Sequence, residues 1–116
     1  ILNHAGLPYD RSKEGLRNWK NAMNIISQCP NVIVKISGIG VPNSTWNKSN
    51  NEGIINYLID KFGADRCMFG SNFPVDSLCA SYDQIVETLY ECISDLTNTE
   101  IENIFYNNAI KFYNPL

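Results

Sequence analysis

Short apolar segments with polar ends recur three times along the chain. They occupy residues 2–6, 34–38 and 69–74, and each also contains a glycine. Stretches with helical periodicity separate them, which is the pattern of strands alternating with helices. In such folds the strands run parallel and their C-terminal ends open on one face, where polar side chains converge on a ligand. We therefore expect His4, Ser37 and Asn72 to line one opening at the C-terminal ends of the strands, which we call the mouth. Such an arrangement is typical of an enzyme.

Apolar residues at helical spacing predict the first helices. The first begins at Ser12, a good N-cap, and stops at Pro30. Its apolar stripe comprises Leu16, Trp19, Met23 and Ile26. The second covers residues 52–62 and ends at Gly63, which suits the left-handed C′ position.

Capping signals mark the last two helices. Ser81 with Gln84 fits a capping box at the start of a helix over residues 81–95. Thr97 with Glu100 fits a second one and has the clearest start signal in the chain. These patterns predict two helices in the last third of the chain.

The predicted order of elements is β-α-β-α-β-α-α. Residues 31–36, rich in β-branched side chains, predict a buried strand, and residues 66–70 predict the next. Right-handed crossovers between such strands give a parallel sheet, so we expect an α/β fold in a single domain over residues 1–116. Three strands are few for such a sheet. A parallel sheet needs cover on both faces, and here two strand edges would remain open. The chain is either a minimal three-layer sandwich or, since Ile1 stands directly in a strand pattern, part of a truncated or processed polypeptide.

Composition excludes several classes of partner. A net charge of −3 without any basic run gives no footprint for nucleic acid. No apolar stretch approaches the ~18 residues of a membrane span, so we expect no membrane partner. The four cysteines form no CxxC pair; with Cys67 in a strand and Cys92 on a helix, we expect buried free thiols. Free thiols favour a reducing compartment, so a cytoplasmic location is expected.

His4 and Lys35 are the strongest candidates for chemistry. His4 is the single histidine and could bind a metal, act as a general base or donate a hydrogen bond to a substrate oxygen. A lone histidine at a strand end is more often a residue without a function. Lys35 interrupts an apolar strand and shares its face with Ser37. If this lysine points into a barrel it must have a partner or a substrate, because an unpaired buried ammonium is costly; otherwise it lies at the surface.

Asn72 and Trp46 are candidates with equally plain structural alternatives. Asn72 ends the third strand, where an amide binds a ligand or ties down the loop that follows. Trp46 lies in a polar loop after the second strand, where it either faces a ligand as part of a lid or packs the loop onto the domain.

Several of these motifs occur in order over nearly the whole chain. They are His4-Ala5-Gly6, Pro30-Asn31-Val32, Lys35-Ile36-Ser37-Gly38, Phe62-Gly63, residues 66–76 (RCMFGSNFPVD), Tyr82, Asn108-Ala109 and Phe112-Tyr113. In this pattern the chain resembles the C-terminal portion of the amidohydrolase-related family of TIM-barrel hydrolases, in the lactonase-like branch. The resemblance implies strands six to eight of a (β/α)8 barrel and a closing helix.

The resemblance also implies roles for the strand ends. His4 occupies the position of a histidine that binds metal or substrate, and zinc is a possible cofactor of the complete barrel. An aspartate commonly activates the hydrolytic water at the end of strand eight, but this chain has Asn72 there. An amide cannot accept a proton at neutral pH; Asp76 could substitute if its loop folds back.

Three functions are compatible with these patterns. The first is the C-terminal segment of a hydrolase acting on a lactone, ester or amide carbonyl, in which His4 polarises the carbonyl, Lys35 or Ser37 contacts a substrate oxygen and Asn72 positions water. Catalytic zinc needs about three protein ligands, so this chain would not be active alone. The second is a non-catalytic relic of the barrel that serves as an assembly subunit, forming a homo-oligomer or binding a partner chain at its open sheet edges. The third is a small α/β binding domain.

Overall fold

The computed structural model describes residues 1–115, and its centre is a pair of parallel strands. Strand β1 spans Val34–Ile36 and strand β2 spans Cys67–Phe69, paired in register Val34 to Cys67 and Ile36 to Phe69. The first predicted strand is reduced to one parallel bridge between Leu2 and Val34. It lies on the other side of β1, where Leu2 accepts a hydrogen bond from the Lys35 backbone at 2.8 Å. The predicted parallel order is therefore present.

Residues 1–115 form five α-helices beside these strands. They are α1 (Lys13–Ser27), α2 (Lys48–Phe62), α3 (Tyr82–Cys92), α4 (Asn98–Glu102) and α5 (Asn108–Tyr113). A π-helical turn, Asn103–Asn107, joins α4 to α5, so the last predicted helix is continuous but not uniform. The prediction that α2 begins at residue 52 is wrong, because Asn47 caps the helix earlier by accepting a hydrogen bond from Asn50 N at 2.9 Å. The third helix ends at Cys92 rather than at residue 95.

The helix starts follow the local capping signals with one exception. Ser12 accepts a hydrogen bond from Gly15 N, and both bonds of the box between Thr97 and Glu100 are formed. Ser81 accepts from Gln84 N, but the Gln84 amide donates to the carbonyl of Trp46 at 2.9 Å instead of returning to Ser81. The predicted second capping box is therefore wrong in its reciprocal half.

The hydrophobic core lies between the strands and helices α1, α2 and α3. Helix α2 lies between α1 and α3 and contacts both strands. The side chains at its centre include Val34, Ile36, Cys67, Ile54, Leu58, Ile85 and Leu89, all buried. This packing covers the face of the strands that is opposite Lys35 and Ser37.

The cysteines divide into two groups. Cys67 and Cys92 are buried free thiols as expected, and burial raises the pKa of Cys67 to about 12 and that of Cys92 to about 11. Cys29 is exposed and Cys79 is partly exposed, so the expectation of burial is wrong for these two. Cys29 lies after the end of α1, where the chain runs along the surface.

Two motif residues hold together the end of the fold that is opposite the mouth. Arg66, just before β2, donates hydrogen bonds to the carbonyls of Ser27, Cys29, Val32 and Phe62. Asn108 is buried and its amide donates to two carbonyls, Ala64 O and Cys67 O, at 2.7 Å each. These contacts anchor α1, α2 and α5 to the start of β2.

Within residues 1–115, none of the helices combines the length and apolar character needed to cross a membrane.

Candidate functional site

The C-terminal ends of the Leu2 segment and of both strands meet at one mouth. Ser37 follows β1 and its Oγ lies 3.2 Å from Nδ1 of His4, which belongs to the turn after Leu2. Asn72 follows β2, and its Nδ2 would lie 3.2 Å from a Cβ placed on Gly38. Because His4 contacts the same side of Gly38, the imidazole and the amide border one glycine. Parallel strands bring these groups together although they are distant in sequence.

The backbone at this mouth adopts an uncommon conformation. His4 and Ala5 both have φ of 52° and Asn72 has φ of 53°, in the left-handed region. Residues other than glycine adopt this region rarely, and such strain is concentrated at functional sites. The turn is held in place by Trp19, whose Nε1 donates to Ala5 O at 2.8 Å. The strained residues are therefore the ones that aim the candidate side chains.

Gly38 leaves the space that the imidazole occupies. Its φ is +57°, and a Cβ built there would overlap the His4 ring. The sequence predicted Gly38 as part of a family motif but not as a neighbour of His4. Its signal was a glycine directly after the polar end of a buried strand, which marks a close approach of another group.

The loop after β2 folds back onto the strand end. Asp76 N donates to Asn72 O at 3.0 Å, and Asn72 Nδ2 donates to Asp76 Oδ1 at 2.9 Å. The Asp76 side chain is 6% exposed, and within residues 1–115 its Oδ2 has no hydrogen-bond partner. Burying a carboxylate oxygen without a partner is costly. The carboxylate is therefore a feature of the mouth that packing alone does not explain.

Lys35 lies on the face of β1 that carries Ser37. Its aliphatic chain and Ser37 Cβ would both lie 3.0 Å from a Cβ placed on Gly70 of the neighbouring strand. The ammonium lies 5.2 Å from the centre of the Tyr113 ring, a cation–π distance. Lys35 is half-buried. Its aliphatic chain lies against the neighbouring strand, and its ammonium group has an aromatic partner.

Of the strand-end candidates, Trp46 lies near Ser37. It is 5% exposed and packs into the core, and its carbonyl accepts the hydrogen bond from Gln84. It borders a cavity of about 330 Å³ between α1, α2 and the preceding loop. His4, Ser37 and Asn72 are not among the residues that line this cavity. This cavity thus does not join Trp46 to the strand-end group, whereas a much smaller pocket of about 10 Å³ is lined by Trp46 and Ser37 together.

The donor set of the mouth does not make a zinc site by itself. Across residues 1–115, no three His, Cys, Asp or Glu side chains are grouped closely enough to hold a metal ion. Nδ1 of His4 contacts Ser37, and Asp76 is bonded to Asn72. A tetrahedral site with three protein ligands would need residues beyond those described.

Comparison with known proteins gives consistent matches. A family model described as amidohydrolase matches residues 1–114. The chain is 39% identical over 113 residues to the uncharacterized protein y4mH of Sinorhizobium fredii and 34% identical over 96 residues to L-fucono-1,5-lactonase of Burkholderia multivorans. The matches cover 97% and 73% of this chain, but the chain spans only 38% and 32% of these two relatives.

Solved structures contain the same arrangement of strands and helices. An amidohydrolase from Burkholderia multivorans with bound HEPES matches 99% of this chain over 44% of its own length, with a TM-score of 0.88 and 30% identity. A second crystal form of that amidohydrolase, with bound zinc, matches 99% of this chain over 43% of its own length, with a TM-score of 0.87 and 29% identity. Amidohydrolase 2 from Bifidobacterium longum matches 98% of this chain over 39% of its own length, with a TM-score of 0.69 and 26% identity. These matches confirm the predicted fold class, an α/β part of a TIM barrel with parallel strands.

Proposed function

Because the chain belongs to the amidohydrolase family, we propose that it forms the C-terminal segment of a hydrolase that acts on a lactone, ester or amide carbonyl. The observation that carries this proposal is the meeting of two bonded pairs at the mouth, His4 with Ser37 and Asn72 with Asp76. An imidazole and a carboxylate close to one strand-end opening are the groups that general acid–base hydrolysis requires.

In this proposal His4 polarises the substrate carbonyl. Its Nδ1 is bonded to Ser37, so Nε2 is the ring atom that meets the substrate oxygen. A hydrogen bond placed where negative charge develops on that oxygen stabilises the tetrahedral intermediate. Lys35, whose stem lies on the same strand face, is our candidate for a second contact to a substrate oxygen.

Asn72 and Asp76 act together on the attacking water. The amide nitrogen of Asn72 is committed to Asp76, which leaves its oxygen to accept a hydrogen bond from the water. Asp76 supplies the carboxylate that the strand end lacks, and its buried Oδ2, once water reaches it, is our proposed acceptor of the water proton. The protonated carboxyl returns this proton to the leaving oxygen or nitrogen as the bond from the carbonyl carbon to that atom breaks. No step is assigned to a metal, since the described residues do not complete a site for one.

A lactone is the substrate class that one relative favours. The Burkholderia relative is named as an L-fucono-1,5-lactonase, and the chain matches it over 73% of its own length. A lactone presents a ring carbonyl together with hydroxyl groups, which suits a mouth that carries both hydrogen-bond donors and acceptors. Trp46 stays a proposed lid residue, in the loop that follows β1.

The test uses the polypeptide expressed from the gene that encodes this chain. It is assayed against a panel of sugar lactones, simple esters and amides, with His4→Ala beside it and Glu87→Ala, an exposed position on α3, as the matched control. We expect hydrolysis of a lactone, with kcat/KM lower by about 100-fold or more in His4→Ala and unchanged in the control. Turnover that is unaffected by His4→Ala would remove this residue from the mechanism.

A second candidate function is an assembly subunit. Its supporting observation is that, in the described part of the chain, the Leu2 segment and β2 are the two edges of the sheet, each with one neighbour. Unpaired strand edges are ready sites for pairing with another chain. A stable complex with a second copy or a partner chain, combined with no hydrolysis of any compound in the panel, would favour this function over the enzyme.

A further inference from the structure

We propose that Ser37 is a positioning residue for His4, rather than a contact to substrate, and that it fixes the imidazole with its proton on Nε2. This inference rests on the proposed function, because it states how His4 would present itself to a carbonyl. It concerns the orientation and tautomer of one ring, so it has a physical readout that is independent of turnover.

The burial of Ser37 argues against a direct role in binding substrate. The residue is 4% exposed, and its Oγ lies 3.2 Å from Nδ1 of His4. A hydroxyl in this position has little surface left for a ligand. The His4 residue is half-buried and so is more exposed than Ser37.

The direction of the hydrogen bond follows from the needs of the buried hydroxyl. A serine hydroxyl carries one hydrogen, and a buried donor needs an acceptor. Among the described residues, Nδ1 of His4 is the partner recorded for Ser37 Oγ. If Nδ1 carried the proton, the hydroxyl hydrogen would be left without that acceptor. The hydroxyl therefore donates to Nδ1, and the ring proton lies on Nε2.

Gly38 packs against the same edge of the ring, next to Nδ1 and Cγ of His4. A Cβ on Gly38 would overlap the imidazole, so the glycine backbone forms the wall against which the ring packs. The backbone φ of 52° at His4 directs its side chain toward this wall. Between Ser37 and Gly38, the imidazole has one contact that selects its tautomer and one that limits its rotation.

The consequence is a neutral donor at the mouth. With its proton on Nε2, His4 donates a hydrogen bond to a substrate oxygen without first having to be protonated. Asn72, whose nitrogen is committed to Asp76, presents an acceptor on the same rim. The mouth thus offers one oriented donor and one oriented acceptor, which matches a carbonyl compound that carries a neighbouring hydroxyl group.

The single histidine of the chain makes the tautomer measurable without ambiguity. Long-range ¹H–¹⁵N spectra of the chain labelled with ¹⁵N-histidine, at a pH where the ring is neutral, distinguish the two nitrogens. We expect Nε2 to carry the proton and Nδ1 to resonate upfield of an unbonded ring nitrogen. In Ser37→Ala the Nδ1 resonance should move downfield, and in Ser37→Thr, which keeps the hydroxyl, it should stay near the wild-type position.

Ser27→Ala is the matched control, because Ser27 is also buried but bonds the Asn24 carbonyl away from the mouth. It should leave the His4 resonances unchanged. In the polypeptide used for the lactone assay, Ser37→Ala should lower kcat by about 10- to 100-fold with a smaller change in KM. A wild-type proton on Nδ1, or an Nδ1 resonance that Ser37→Ala does not move, would overturn the positioning role. A proton on Nδ1 would leave Nε2 as an acceptor instead of a donor. Whether His4 takes part in hydrolysis at all is tested separately, by the His4→Ala assay.

Discussion

The Asn72 amide donates a hydrogen bond to the carboxylate of Asp76 at 2.9 Å, four residues further along the chain. The loop between them folds back through a short 3-10 turn, Val75–Leu78, and buries the carboxylate behind the amide. The residue at the strand end itself is an amide, Asn72, but the fold places the carboxylate of Asp76 next to it. This relationship makes the two residues one unit, and it predicts what should happen when either is changed.

Removing the carboxylate should abolish most of the proposed activity. Asp76→Asn keeps the size of the side chain but removes its capacity to accept a proton, so we expect kcat to fall by about 10²- to 10⁴-fold. Adding Asn72→Asp to this variant places an acid at the strand end and should recover part of the rate. Steady-state kinetics on a lactone measure both effects, and Asp83→Asn on the exposed start of α3 is the control. Wild-type kcat in Asp76→Asn would rule out Asp76 as the base.

Gly38→Ala should destabilise the protein and displace His4. Its φ of +57° is unfavourable for alanine, and the added Cβ would overlap the imidazole. We expect a loss of more than about 1 kcal/mol in the free energy of unfolding, measured by urea denaturation.

Gly53→Ala provides the matched control for this change. Gly53 lies within α2 and a Cβ there has open space around it. The same substitution should raise the free energy of unfolding by about 0.5–1 kcal/mol, because alanine favours the helix. Equal changes in the free energy of unfolding at the two glycines would show that the close contact between Gly38 and His4 does not affect stability.

Cys67 should make stability fall at alkaline pH. Burial raises the pKa of this thiol from 9.0 to about 12, so the unfolded chain releases its proton at a lower pH than the folded chain does. The stabilising contribution is therefore complete below pH 9 and is lost as the pH rises toward 12. Urea denaturation across this range should give a shallower decline for Cys67→Ala than for the wild type.

The exposed Cys29 supplies the comparison for that measurement. Cys29→Ala should follow the wild-type decline, since its thiol is in contact with solvent in both states. A Cys67→Ala decline as steep as that of the wild type would mean that other groups account for the alkaline loss.

Local signals were enough to predict most of the helices. Ser12 and the Thr97–Glu100 box set the starts of their helices through contacts within a few residues, and the structure has both. The start of α2 was predicted too late because its first turn is polar and carries no apolar stripe. Gln84 deviated for a different reason, since the carbonyl of Trp46, 38 residues away, took the bond that the local box would have made.

The pattern of strands and helices determined that the polar strand ends would lie at one edge, because parallel strands all point the same way. The sequence alone thus contained the α/β order, the family and the candidates His4, Ser37 and Asn72. Only the tertiary structure decided which groups bond to which: Ser37 to His4, Asn72 to Asp76, Lys35 to Tyr113, and Trp46 to neither pair. Such contacts depend on loop paths and on the space left by Gly38, and these arise only when distant segments pack together.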